Sequence, residues 1–158
     1  MPQEPISVQR GDAFITFYPG NWFKITAGVD VQDESPIIGQ QWFSWRVSRD
    51  YHFRYELAPA RGWVASVDRL FELRSRGFTK CGGENLFVIG HGDRWWDPQL
   101  VRFHDDEPAR HQLVQLIGAL SLAGFNGNSG LPVGHVVAFN ADPDLMLDFT
   151  RALLSSCQ

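Results

Sequence analysis

The run Glu107-Pro108-Ala109-Arg110-His111-Gln112-Leu113-Val114-Gln115-Leu116-Ile117-Gly118-Ala119-Leu120 places its apolar residues at Leu113, Leu116, Ile117 and Leu120. They fall at the three- and four-residue intervals of one helical face. Asp105, Asp106 and Glu107 stand in front, where acids suit the free N–H groups of a helix start. The spacing predicts a helix from Pro108 to Ala123. Downstream, residues 124–130 form a Gly/Asn-rich loop and His135-Val136-Val137-Ala138-Phe139 reads as a strand. Asp142-Pro143 then caps a last helix that runs through Leu154.

Working back from the helix, Leu86-Phe87-Val88-Ile89 reads as a buried strand and His91-Gly92-Asp93-Arg94 as a hairpin turn. Val64 to Arg76 has helical spacing at Val64, Val67, Leu70, Phe71 and Leu73, with Gly77 as its stop. Pro59-Ala60-Arg61-Gly62 is a loop. Ile6 to Gln9, Ala13 to Tyr18 and Trp22 to Val31 read as strands joined by turns, an antiparallel meander in outline. Gln41 to Arg46 and Phe53 to Leu57 are expected as shorter strands. Strands first, then strands mixed with helices, argue an α+β fold: a two-layer sandwich of a mostly antiparallel sheet backed by helices.

The chain has 158 residues, 44% of them apolar and 20% charged, which suits one packed domain and excludes global disorder. A net charge of −4 argues against a general nucleic-acid binder. No apolar run is long enough to span a membrane. Cys81 and Cys157 alone make no disulfide framework. The acid and proline of Met1-Pro2-Gln3-Glu4-Pro5 do not read as a secretory leader, so the expected location is cytoplasmic.

Candidate chemistry is sparse. His104, the three acids after it and His111 form the densest group of possible metal ligands, although helix capping alone accounts for acids there. A partner for His111 one turn on falls at Gln115, a neutral amide and a poor zinc ligand. His91 with Asp93 sits in a turn that needs no functional account. Cys81 lacks an activating helix, and Ser129 lacks the context of a nucleophile elbow. In Trp42-Phe43-Ser44-Trp45-Arg46 both strand faces carry large aromatics. Trp42 and Trp45 are therefore either core or interface.

An ordered string of short motifs carries a resemblance. Gly83-Glu84-Asn85-Leu86-Phe87-Val88 leads to Trp96-Asp97-Pro98-Gln99-Leu100-Val101-Arg102-Phe103, then to Asp106 through His111, Leu116 through Leu120, and Gly134 through Phe139. Upstream stand Ser35-Pro36-Ile37-Ile38-Gly39-Gln40-Gln41 and Ser66 to Gly77. Over residues 6–154 the chain resembles the C-terminal domain of the UDP-3-O-acyl-N-acetylglucosamine deacetylases, the zinc hydrolases of lipid A biosynthesis. The resemblance implies an enzyme of two similar domains with its site in the seam between them. On this reading residues 1–158 are one domain similar to the second, and the N-terminal catalytic half is absent.

The resemblance also implies roles, one position at a time. His111 matches a zinc-binding histidine. The second metal ligand of that helix falls at Gln115, and the lysine that faces the nucleotide sugar falls at Gln112. An aspartate that supports a catalytic histidine falls at Ala119, and that histidine falls at Pro143. A threonine of the acyl-chain loop falls at Ala60. A catalytic zinc needs about three protein ligands, and without it water stays far too weak an acid to supply hydroxide at neutral pH. The expectation is a stand-alone, catalytically inactive domain that acts by binding a protein partner or a second copy of itself, with no cofactor. One alternative is the C-terminal half of a split zinc deacetylase completed by another chain, with His104 substituting as a ligand. Another is a non-catalytic nucleotide-sugar or acyl-chain binder, with Trp63 and Trp45 as groove residues.

Overall fold

Alternation in Ala13–Pro19 sends Ile15 and Phe17 inward, both fully buried, while Tyr18 faces out. That strand, β2, pairs antiparallel with β1 (Ile6–Arg10) across a tight turn in which Gly11 has a φ of 59°. The chain continues through β3 (Lys24–Asp30) and β4 (Gln40–Arg46), a second antiparallel pair. The computed structural model describes residues 2–47, 52–77, 87–123 and 131–156. Cys81, the glycine pair after it, Leu86, Ser129 with the rest of its loop, and Cys157 lie outside the described residues.

The meander expected of the first three strands stops after β2. The last strand, β8 (Gly134–Phe139), enters between β2 and β3, antiparallel to the first and parallel to the second. The order β1-β2-β8-β3-β4 therefore interleaves the two ends of the chain. Local turn signals cannot reveal such an insertion. On the inner face, Ile15, Phe17, Ile25 and Val136 meet Leu113, Leu116 and Leu120 of α3 (Glu107–Ser121) and Phe149 and Leu153 of α4 (Pro143–Ser155). Asp142 caps α4, its side chain accepting the Leu145 N–H at 2.7 Å, as the Asp-Pro pair predicts.

Two stretches differ from expectation. Residues Phe53–Glu56 form a single helical turn, α1, and not a strand. Phe53 and Tyr55 are both exposed, so no alternating face is buried; Leu57, just beyond the turn, is the residue that enters the core. The Trp45 indole N–H bonds Glu56 Oε2 at 3.0 Å, and Arg110 donates to the Glu56 carbonyl at 2.8 Å, which anchors the turn. Ahead of the second helix, Gly62–Val64 is a strand, β5, too short to give a periodic signal. It pairs parallel with β6 (Phe87–His91), which turns through Gly92 into β7 (Arg94–Trp95). The helix between, α2, spans Val67–Ser75 and is capped by Ser66. Among the described residues no helix is long and apolar enough to cross a membrane.

Candidate functional site

The first turns of α3, the start of β5 and the turn that follows β8 converge on one cleft. Three polar devices hold them together. Glu107, fully buried, accepts backbone N–H groups from Arg61 (2.9 Å), Arg102 (2.6 Å) and Phe103 (3.1 Å). Its carboxylate thereby joins the loop before β5 to the chain that enters α3. Arg110 forms a two-pronged pair with Asp106, at 2.5 and 3.1 Å, and its guanidinium lies between the rings of Phe43 and Phe103. The third device is Gln112, 5% exposed, whose Nε2 donates to the Ala141 carbonyl at 2.6 Å.

His111 sits between these ties. Its Nδ1 lies 3.1 Å from the Ala60 carbonyl oxygen. A carbonyl only accepts, so Nδ1 carries the proton and Nε2 keeps the lone pair. Burial lowers the imidazole pKa below its ordinary 6.5, against opposing pulls from the Ala60 hydrogen bond and the Glu107 charge. The ring is thus held neutral. His111, Gln112 and Gln115 line a cleft of about 210 Å³ with Trp63 and Phe87. A second, open lobe of about 360 Å³ shares Trp63, Gln112 and Ala141 with it and is bordered by Asp30, Asn140 and Asp142.

Asp30 and Asn140 carry a weak sequence signal, an asparagine just before the helix-capping Asp142. Asn140 takes a φ of 46°, which asparagine tolerates better than most residues. Its Oδ1 accepts the Asp30 N–H at 2.8 Å and its own N–H bonds the Gly28 carbonyl at 2.9 Å, so two hydrogen bonds tie the turn to β3.

The model of the UDP-3-O-acyl N-acetylglycosamine deacetylase family matches residues 1–155. The chain belongs to the UDP-3-O-acyl-N-acetylglucosamine deacetylase family. It is 38% identical over 151 residues to the Arabidopsis thaliana protein named probable UDP-3-O-acyl-N-acetylglucosamine deacetylase 1, mitochondrial, an overlap of 95% of this chain and 45% of that one. With the deacetylase of Nostoc sp. it shares 33% identity over 155 residues, 97% of this chain and 52% of the relative. With that of Synechocystis sp. it shares 34% over 142 residues, 90% and 48%. The chain spans about half the length of the curated relatives it matches.

Within this deacetylase-family domain the structure brings together His111, Gln112, Gln115 and Trp63. Ala60 joins them through its carbonyl. Ala119 and Pro143 line an adjoining apolar groove of about 300 Å³ with Gln115, Leu122 and Met146, between α3 and α4. His104 is exposed in the turn before α3. Among the described residues no three His, Cys, Asp or Glu side chains gather in a form that could hold a metal ion. Trp45 is 6% exposed and belongs to the core, its ring edge-on to Phe53. Trp42 lies on the outer face of the sheet, across Gly28, and stacks on Phe139 with centroids 5.2 Å apart.

Proposed function

We propose that this chain is a binding domain on the deacetylase scaffold and does not hydrolyse substrate by itself. The observation that carries this reading is the buried Gln112 amide, fastened to Ala141 where the family resemblance puts a substrate-facing lysine. One turn after His111 comes Gln115, another neutral amide. A zinc centre takes about three protein ligands, and amides serve poorly. Of the neighbouring acids, Asp106 is committed to Arg110 and Glu107 to three backbone N–H groups. One imidazole and two amides do not fit the family's zinc.

The groove between α3 and α4, with Leu122 69% exposed at its edge, gives the domain an apolar face. Such faces mark interaction sites, and a protein partner or a second copy covers this one. The test is elemental analysis of the purified chain together with an assay of acetate release from UDP-3-O-acyl-N-acetylglucosamine. Zinc far below one per chain and no acetate are expected. One tightly held zinc overturns the reading.

A second reading, half of a composite zinc deacetylase, draws support from one observation. His111 is held neutral, with its Nδ1–H on the Ala60 carbonyl, as metal-binding histidines are. In that case the same two measurements turn positive only when a chain corresponding to the other half of the relatives is added.

A further inference from the structure

Four of the five strands meet at one end of the large sheet. β2 stops there at Pro19 and β4 at Arg46, while β3 starts at Lys24 and β8 at Gly134. The register sets Tyr18 beside His135, His135 beside Lys24 and Lys24 beside Arg46. These four side chains form the last row on the sheet face turned away from α3 and α4. The link from β2 to β3 has to pass over the start of β8. A Cβ on Gly20 would stand 3.3 Å from the Gly134 Cα, and one on Gly134, whose φ is 154°, would stand 2.3 Å from the Tyr18 carbonyl oxygen. The tight crossing leaves Trp22 outside, 72% exposed. Tyr18, Val47 just beyond β4 and Val133 just ahead of β8 are exposed on the same rim.

Charge is divided along the strands. Lys24 and Arg46 stand at this end. Burial and then the Lys24 charge lower the pKa of His135, so it is uncharged at neutral pH. At the opposite end Asp12, Asp30, Asp33 and Glu34 border an open cleft of about 350 Å³. The seven residues of β3 hold the two ends about 20 Å apart. The Debye length in physiological salt is about 8 Å, so a surface touched by Lys24 scarcely feels those acids. A net charge of −4 therefore does not keep this rim from an anionic surface.

Tryptophan and tyrosine beside lysine and arginine make the composition that settles at a bilayer surface. Rings with an apolar body and a polar tip lodge at headgroup level, and the cations pair with anionic lipid. A fluid headgroup layer fits a rim of projecting side chains without the shape match that a rigid partner requires. We propose that this end of the sheet docks on an anionic membrane surface, with Trp22 and Tyr18 among the headgroups and Lys24 and Arg46 on the anionic lipid. The docking is independent of the cleft beside His111 and of whether the chain hydrolyses substrate.

Sedimentation of the full chain with vesicles tests it, comparing phosphatidylcholine alone with phosphatidylcholine that contains about one third phosphatidylglycerol. Binding to the anionic vesicles only, weakened at least about threefold when salt rises about tenfold, is expected. Lys24→Gln should bind about fivefold more weakly, the share of one basic residue near an anionic surface. Trp22→Ser should bind about tenfold more weakly and lose the blue shift of tryptophan emission that the vesicles cause. Trp96→Ser, which removes a tryptophan 59% exposed outside this rim, should bind as the natural chain does. Both tryptophans lie outside the core, so neither replacement disturbs the packing. Indifference to anionic vesicles overturns the proposal, and so does undiminished binding by Trp22→Ser or an equal loss in Trp96→Ser. Self-association that Trp22→Ser abolishes, without vesicle binding, makes the rim a protein interface and overturns it as well.

Discussion

The Oε1 atom of Glu107 accepts the backbone N–H of Arg61 at 2.9 Å, across 46 positions of sequence. Its other oxygen holds two N–H groups in front of α3. The carboxylate replaces water for three donors in a place water does not reach. Glu107→Ala strands those donors, and each stranded buried group costs about 1–3 kcal/mol. A loss of roughly 3–5 kcal/mol is expected in urea unfolding. Glu107→Gln should recover part of it, because one amide oxygen still accepts.

Arg110 tests whether a flat cation is needed. Its guanidinium fills the space between Phe43 and Phe103 while gripping both Asp106 oxygens. Lysine keeps the charge and loses the plane. Arg110→Lys is expected to cost about 1–3 kcal/mol, and an unchanged urea midpoint would show the sandwich to be idle.

Acidification should loosen the fold in a defined range. Burial lowers the pKa of His111, and burial followed by the Lys24 charge lowers that of His135, which bonds Thr26 at 2.8 Å. The folded state therefore resists protons that the unfolded chain accepts near the ordinary 6.5. Stability is complete above that value and falls as the pH drops from it toward each lowered folded pKa. Urea midpoints measured between pH 7.5 and 5 should show the decline, with a shallower slope in His111→Gln.

Gln115→Asp places an acid one helical turn from His111, on the same face of α3. With Nε2 already holding its lone pair, His111 and an acid at that spacing supply two ligands for a divalent ion. Zinc titration should show at least tenfold tighter binding by the variant. Equal binding by both chains would mean that an acid at this position adds no metal ligand.

Periodic faces were readable from the sequence, and tertiary pairing was not. The Leu113–Leu116–Leu120 stripe and the Asp142-Pro143 cap announce α3 and α4 because both signals are local. Phe53 to Leu57 misleads because the turn is held by Trp45, against Phe53 and Glu56, and by Arg110 on the Glu56 carbonyl, and neither pull shows in the segment itself. At the site, His111 and Trp63 stand out by residue type and by family resemblance. Glu107 reads as a helix-start acid, and only the fold reveals that it answers a loop before β5. Asp30 and Asn140 meet across the sheet for the same reason.

The position of β8 sets the order in which this protein can be made. Both inner edges of the sheet, on β2 and on β3, wait for a strand that follows them far along the chain. Until residues 134–139 emerge, two unpaired rims stay open, each able to recruit a stray strand. Folding must be slow to commit and abrupt to finish, and a nascent chain stalled ahead of β8 should depend on chaperones until that strand arrives.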